Sequence, residues 1–230
     1  MAISFVAAGT AGAAASGNIT VTPPATQTDD LMVCAVTTFD NVLCSFPAGW
    51  SAIQFQQTNG LTQSMCMYWK RAVGAEAAFV VTHALGDSIV GNVGVFRGCR
   101  TAAEPGGVFE NSASQANAAN SVCTCGESLN TPSFFGEMLI FTVHDGDDGV
   151  ASGYSSASLG AMTQAFTSAT TLGLDTSVSM AYILNTTKGN SGQCTANLTL
   201  GPDINIGTQV WLVPPESTQV RPLGLLGAGL

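Results

Sequence analysis

Charged side chains are scarce in this sequence. Asp, Glu, Lys and Arg together make up 9% of the 230 residues, against about 25% in an ordinary globular protein. Only six residues are basic, against 15 acidic ones, and the basic residues form no stripe. A nucleic-acid-binding surface needs such a stripe, and binding to an anionic membrane surface needs a basic patch. We therefore expect neither nucleic acid nor a membrane among the partners.

Long apolar segments and a secretion signal are also missing. No segment reaches the roughly 18 uncharged apolar residues that a membrane-spanning helix requires. The Ala-rich stretch MAISFVAAGTAGAAASGN (1–18) has no basic residues before its apolar part, and glycines interrupt it. Cleaved signal peptides have a basic first part and an unbroken apolar one. The sequence therefore favours a protein that is not exported through a cleaved signal.

Cysteine spacings typical of metal or redox sites do not occur. The seven cysteines include no Cys-x-x-Cys pair and no Cys/His cluster with the spacing of zinc ligands. Cys123 and Cys125 would share one face of a strand, and two packed thiols are a better interpretation of them than a redox pair. We expect reduced thiols that act as small core residues, as in proteins folded in a reducing compartment.

Patterns typical of catalysis are few. The chain has two histidines, His83 and His144, and no Gly-x-Ser-x-Gly elbow or phosphate-binding glycine loop. His83 lies in a predicted strand, where a structural role is the favoured interpretation. The acidic residues mostly fall at predicted strand ends rather than as an opposed pair in a cleft. We therefore expect no enzymatic activity, no catalytic residues and no cofactor.

The repeated pattern that is present is that of short β-strands. Runs rich in Val, Ile, Thr and aromatic residues alternate with Gly, Pro, Asn and Asp. The runs are 18–23, 31–38, 64–71, 78–84, 89–96, 137–144, 178–184, 194–200 and 207–213. Short strands at this spacing are typical of a sandwich or a jelly roll. The predicted fold class is all-β, an antiparallel, jelly-roll-like β-sandwich.

An internal repeat accompanies the strands. DLMVCAV (30–36) aligns with EMLIFTV (137–143), MCMYW (65–69) with SMAYI (179–183), and VGNVGVF (90–96) with IGTQVWL (206–212), at offsets of 107, 114 and 116 residues. Three matches in the same order predict two related halves, about 18–98 and 121–213. They would form one sandwich domain, 1–213, followed by an extended arm, 214–230.

The segment TVHDGDDGV (142–150) concentrates acidic residues in a predicted loop. Asp147 aligns with Asp40 of the first half, so a strand-to-strand turn is the favoured interpretation, because Asp and Gly suit tight turns. A calcium site formed by Asp145, Asp147 and Asp148 is the less favoured alternative. Calcium prefers six to eight oxygen ligands, and the EF-hand spacing is missing.

Two groups of side chains are candidates for binding. Trp69 neighbours Tyr68 on a predicted strand, so one of the two should face outwards. An exposed Trp69 would stack on a sugar ring or on a neighbouring subunit. In the arm, four leucines follow two prolines, and they are expected to dock onto protein because leucine burial is favourable. These leucines are Leu223, Leu225, Leu226 and Leu230.

A family resemblance runs through the first half and on to residue 215. FPAGW (46–50), MYWKRAVGAE (67–76) and VGVFRGC (93–99) stand in this order, and the second half has GEMLIFTV (136–143) and VWLVPP (210–215). This pattern resembles β-sandwich virion proteins of tailed bacteriophages, described as minor tail, fibre or head-decoration components.

The resemblance implies a structural part of the virion that is assembled in the host cytoplasm. Its expected partners are other virion proteins of the capsid or tail and further copies of the same chain. The alternative function is a carbohydrate-binding adhesion module on the virion surface, whose partner would be a host surface glycan.

Overall fold

A computed structural model describes residues 2–84, 86–101, 104, 107–127, 136–186 and 189–216, with the backbone alone at 55 and 56. The strands before residue 100 are β1 Ser4–Ala8, β2 Gly12–Ala14, β3 Ile19–Val21, β4 Leu31–Thr38, β5 Cys44–Ser45, β6 Ser51–Asn59, β7 Gln63–Arg71, β8 Phe79–His83 and β9 Ile89–Arg97. The later strands are β10 Phe109–Asn120, β11 Val122–Cys125, β12 Met138–Asp145, β13 Ala151–Ser156, β14 Gly160–Ala161, β15 Thr163–Thr170, β16 Thr176–Leu184, β17 Cys194–Leu198 and β18 Asp203–Leu212.

The strands form antiparallel sheets packed in layers, which confirms the predicted all-β sandwich class. The first central sheet has the order β1-β9-β4-β7-β6, with β2 also paired to β9, and the second has the order β10-β18-β12-β16-β15. A first outer sheet, β3-β8-β5, and a second outer sheet, β11-β17-β13-β14, complete the fold. In the described part of the chain, no helix is long and apolar enough to cross a membrane.

Three apolar clusters hold the layers together. One lies between the two central sheets and contains Val33, Ile140 and Met180. The other two lie between each central sheet and its outer sheet, around Cys34 in the first half and Phe141 in the second. The middle strands β4 and β12 are buried along their whole length, because a core covers each face. This explains their nearly continuous apolar sequences.

The two halves use the same strand order. In the first central sheet β9 and β7 flank β4, with β1 and β6 at the edges, and in the second β18 and β16 flank β12, with β10 and β15 at the edges. In the outer sheets, β3, β8 and β5 of the first half correspond to β11, β17 and β13 of the second. Both middle strands have eight residues, and Asp30 and Glu137 precede them. The carbonyl of Asp30 accepts the N–H of Ala72 and that of Glu137 accepts the N–H of Asn185, each at 2.8 Å. The backbone therefore has closely similar pairing in the two halves.

The alignment of Tyr68 with Tyr182 is wrong by one residue. Val33 and Ile140 are the third residues of their strands, and they pair with Trp69 and Tyr182 respectively. Tyr182 therefore corresponds to Trp69, and both lie against the core between the central sheets. Tyr68 is on the opposite face, in the core under the first outer sheet, since a shift of one residue moves a strand side chain to the other face.

Candidate functional site

One end of the layered fold gathers loops from both halves. β4 is antiparallel to β7 and β9, and β12 is antiparallel to β16 and β18, so the loops after β4 and β12 lie beside the starts of those neighbours. Gln63 Nε2 donates to the carbonyl of His144 (3.0 Å), and the N–H of Leu174 donates to Asp87 Oδ1 (3.2 Å). Both sets of loops therefore share one end of the fold. We call it the loop end, made of 39–43, 60–62, 86–88, 146–150, 171–175 and 199–202, and the opposite end the base end.

A cluster of carboxylates lies at the loop end. Asp147 and Asp148 are in the loop after β12, and Asp175 immediately precedes β16. One carboxylate oxygen from each of the three lies within 4.8 Å of the other two. Such an arrangement can hold a cation, because carboxylate oxygens are preferred ligands of calcium.

The carboxylates of the cluster repel one another's negative charge. A side-chain hydrogen bond with Asp147 is the main cause that raises the pKa of Asp148, and the charges of Asp175 and Asp147 add to it. Asp203, at the start of β18, also has a raised pKa, mainly through partial burial and further through the charge of Asp147. Asp148 and Asp203 therefore hold their protons more tightly than isolated aspartates do.

Asp145 lies beneath this cluster, at the end of β12. Its side chain is fully buried, and neither carboxylate oxygen has a hydrogen-bond partner in the described part of the chain. Burial raises the pKa of Asp145 to about 8, and the charges of Asp203 and Asp147 add to this rise. The nearby backbone amide of Gly146 offsets part of it by lowering the pKa. That amide donates its hydrogen bond to the carbonyl of Ile204 at 3.1 Å.

The loop predicted within the segment 142–150 covers only residues 146–150, because β12 extends to Asp145. His144 and Asp145 belong to β12 and are fully buried. His144 Nδ1 lies 2.7 Å from Thr37 Oγ1, and Nε2 lies 3.1 Å from Thr142 Oγ1. Burial lowers the pKa of His144 to about 3, offset in part by a hydrogen bond with the backbone of Val36. The imidazole is therefore neutral and structural.

Asp40, the residue of the first half that corresponds to Asp147, has hydrogen-bond partners on both carboxylate oxygens. Its Oδ1 accepts the N–H of Val42 (2.8 Å) and lies 3.2 Å from His83 Nε2, while its Oδ2 accepts the N–H of Asp87 (2.6 Å). The side chain of Asp40 thus performs the turn role that the sequence predicts for both halves. His83 has the expected structural role and is 2% exposed.

Positive charge lies at the base end. The described basic residues follow or end β7 and β9, and they are Lys70, Arg71, Arg97 and Arg100. Lys70 Nζ lies 2.5 Å from Glu76, and Arg97 makes two hydrogen bonds of 2.7 Å to Asp30. Although burial alone would raise the pKa of Asp30, the hydrogen bonds from Arg97 lower it. The charges of Lys70 and Arg97 are thus compensated locally.

Exposed aliphatic side chains also concentrate at the loop end. Eight large apolar side chains are exposed in the described residues, and Val73 and Val80 are the two that lie elsewhere. The six at the loop end are Leu43, Leu61, Val150, Leu172, Leu174 and Leu200. Carboxylates and aliphatic groups therefore share this end of the molecule.

The other predicted binding residues fall in two places. Trp69 is half-buried, packs against the core between the central sheets and meets Phe109 edge-on at 5.5 Å between ring centroids. Most of its ring surface is thus engaged within the fold. Leu223, Leu225, Leu226 and Leu230, together with most of the predicted arm, lie outside the described residues.

All seven cysteines are free and buried, as expected for thiols packed in a core. Burial raises the pKa of Cys194 and of Cys99 to about 12. Thiols with such values are protonated at neutral pH, so they are poor nucleophiles. Cys123 and Cys125 pack in the core beneath the second outer sheet.

Comparison of the chain with protein-family models, with curated protein sequences and with solved structures finds no match. The loop end is therefore interpreted from its own geometry. Sequence reasoning missed Asp175 as a member of the cluster and Asp203 as an acidic neighbour of it. The signal that could have found them is the internal repeat, which places the starts of β16 and β18 beside the end of β12.

Proposed function

We propose that this chain is a structural component of a bacteriophage virion, a head-decoration or tail-attached protein that acts through protein–protein assembly. The observation that carries the proposal is the concentration of exposed aliphatic side chains on the loop end. Exposed apolar groups gathered on one part of a surface are typical of contact sites. Burying one leucine contributes about 1.5–3 kcal/mol, so several together favour association.

The placement of reactive side chains supports a structural role. His144 is fully buried between the central sheets, His83 is bonded to Asp40, and the cysteines lie in the cores. Residue types that most often serve as acids, bases and nucleophiles are therefore used here for packing. We propose that the chain is not an enzyme.

The virion assignment rests on the family resemblance. The motifs FPAGW (46–50), MYWKRAVGAE (67–76) and VGVFRGC (93–99) carry it, and the all-β sandwich is compatible with it. The proposed partners are further copies of the chain and other proteins of the capsid or tail, joined during assembly in the host cytoplasm. The glycan-binding alternative needs an exposed aromatic platform, and the packing of Trp69 on Phe109 gives it less support.

Two measurements test this function. Light scattering of the purified chain over a range of concentrations should show an oligomer, and antibodies against the chain should label intact virus particles in immunogold microscopy. In the oligomer, Leu172→Asn combined with Leu174→Asn should lower the mass, because both leucines are about half exposed at the loop end.

The matched control is Val73→Asn, which changes an exposed apolar residue at the base end and should leave the mass unchanged. The proposal would be overturned if the wild-type chain stayed monomeric at every concentration and the antibodies labelled no virus particles. An equal loss of oligomer mass in Val73→Asn and in the double variant would show that the contact does not lie at the loop end.

A further inference from the structure

We propose that the loop end holds a divalent cation of the calcium type, with Asp147, Asp148 and Asp175 as its protein ligands. The site does not rest on the assembly proposed above, because its ligands and its test belong to a single chain. It would tie the loop after β12 to the turn between β15 and β16.

The first argument is distance. Oxygen atoms that surround one calcium ion lie 2.3–2.6 Å from it, so two ligand atoms of the same ion are separated by at most about twice that distance. The oxygens of Asp147, Asp148 and Asp175 lie within 4.8 Å of one another. All three can thus reach one ion, and the half-buried or exposed side chains leave room for water to complete the coordination.

The second argument is the buried carboxylate beneath the cluster. Asp145 Oδ2 would lie 3.2 Å from a Cβ atom placed on Gly149, so the carboxylate faces the loop that carries Asp147 and Asp148. Both of its oxygens are buried without a hydrogen-bond partner in the described residues. A buried polar group without a partner is costly, and a cation in this loop would supply a partner for the carboxyl group.

The distribution of basic residues excludes a protein cation as that partner within the described chain. Lys70, Arg71, Arg97 and Arg100 all lie at the base end, where Glu76 and Asp30 pair with Lys70 and Arg97. The strands between the ends are eight to ten residues long, or roughly 27 Å at 3.3 Å per residue. A charge at that distance is largely screened.

The first half provides an internal comparison. The register of the middle strands places Thr38 where the second half has Asp145, and the Thr38 hydroxyl is 2.7 Å from that of Ser64. Counted from the ends of the corresponding strands, Asn41 stands where the second half has Asp148, and Thr62, just before β7, stands where it has Asp175, just before β16. The first half therefore keeps two aspartates at this end, Asp40 and Asp87, and both accept backbone N–H groups, whereas the second half has Asp145, Asp148 and Asp175 in addition to their counterparts Asp147 and Asp203. Turn formation does not require these additional carboxylates, but cation binding does.

Calcium is the favoured cation because the ligands sit on loops. Calcium accepts variable coordination by carboxylates and water, whereas magnesium demands nearly ideal octahedral geometry. Soft metals prefer thiolate or imidazole ligands, and the three residues offer carboxylate oxygens only. Magnesium at the same concentration is therefore expected to give a smaller effect than calcium.

The test is thermal unfolding of the full-length chain in EDTA and in calcium chloride. Roughly 1 mM calcium should raise the melting temperature by about 5 °C, since a ligand that binds only the folded state stabilises it by mass action. Asp175→Asn should abolish this rise. In EDTA the same variant should melt at or above the wild-type temperature, because it removes one of several repelling charges.

Glu127→Gln is the matched control, since it removes one exposed carboxylate just after β11 at the base end, and it should keep the full calcium response. A second variant, Asp147→Asn with Asp148→Asn, removes the two ligands in the loop after β12, and it should also lose the calcium response. Isothermal titration with calcium provides an independent readout for any variant that unfolds early. Absence of a calcium response in the wild type, or its survival in Asp175→Asn, would overturn the proposal.

Discussion

Thr37 Oγ1 lies 2.7 Å from His144 Nδ1, and these two residues occupy the same register position in the two central sheets. Thr37 is the seventh residue of β4 and His144 is the seventh of β12. The two halves therefore meet through equivalent positions, a hydroxyl on one side and an imidazole on the other. Both side chains are fully buried, so each depends on the other for this polar contact.

Thr37→Val should destabilise the protein by about 1–3 kcal/mol, because a buried polar atom that loses its partner retains the cost of its removal from water. The substitution keeps the shape of the side chain and removes the hydroxyl that lies 2.7 Å from His144 Nδ1. The measurement is urea unfolding at neutral pH. Thr82→Val, the same change at an exposed position of β8, should stay within about 0.5 kcal/mol of the wild type. Equal stability of Thr37→Val and the wild type would contradict this role.

The stability of the protein should depend on pH through His144 and Asp145, in opposite directions. Below its ordinary pKa of 6.5 the unfolded chain protonates His144, whereas the folded pKa is about 3, so stability rises with pH between about 3 and 6.5. Asp145 has a folded pKa of about 8 against 3.8, so the folded state holds the extra proton and stability falls with pH between about 4 and 8. Each contributes at most about 1.4 kcal/mol per pH unit.

The two contributions should nearly cancel between pH 4.5 and 6.5, and the fall due to Asp145 should remain between roughly pH 6.5 and 8. Urea unfolding in EDTA across this range measures the profile. Asp145→Asn should remove the fall above pH 6.5 and expose a rise below it due to His144. An unchanged profile in this variant would assign the pH dependence to other groups.

Gly207 and Gly91 are two glycines of the central sheets at which an outer sheet comes close, so their substitutions can be compared directly. Gly207 pairs with Val143 and Gly91 with Val36, at equivalent positions. A Cβ on Gly207 would lie 2.6 Å from the carbonyl oxygen of Thr124, whereas one on Gly91 would meet the tip of the Val36 side chain at 2.9 Å. Side-chain tips can shift, but a paired backbone cannot.

Gly207→Ala should therefore cost more than Gly91→Ala, about 3 kcal/mol against about 1, within the range known for overpacking. Thermal or urea unfolding of the two single variants measures the difference. Neither glycine has a positive φ, so backbone strain does not enter the comparison. A greater loss in Gly91→Ala would show that the layers of the first half are the less adaptable ones.

Sequence patterns located the middle of each central sheet and missed its edges. β4 and β12 are buried on both faces, so their apolar runs are unmistakable. The edge strands β1, β6, β10 and β15 all escaped detection. β10 has the sequence FENSASQANAAN, whose Asn, Ser and Ala residues have low strand propensity; pairing with β18 along its length holds it in place, and a single sequence does not reveal pairing.

The sequence likewise predicted one part of the candidate site and missed another. Asp147 and Asp148 are neighbours in sequence, so their proximity was visible at once. Asp175 follows 27 residues after Asp148, and only the pairing of β12 with β16 brings it close. The burial of Asp145 was hidden because an aspartate near glycines suggests a turn. Outward exposure of Trp69 was expected from alternation alone, which does not reveal that β7 is covered on both faces.

The three tryptophans are distributed one to each apolar cluster. Trp50 packs beneath the first outer sheet, Trp69 between the central sheets and Trp211 beneath the second outer sheet. Each interface therefore carries its own intrinsic fluorophore. Variants that retain a single tryptophan would report the loss of each interface separately during unfolding, so the order in which the layers come apart can be read from emission spectra without any attached label.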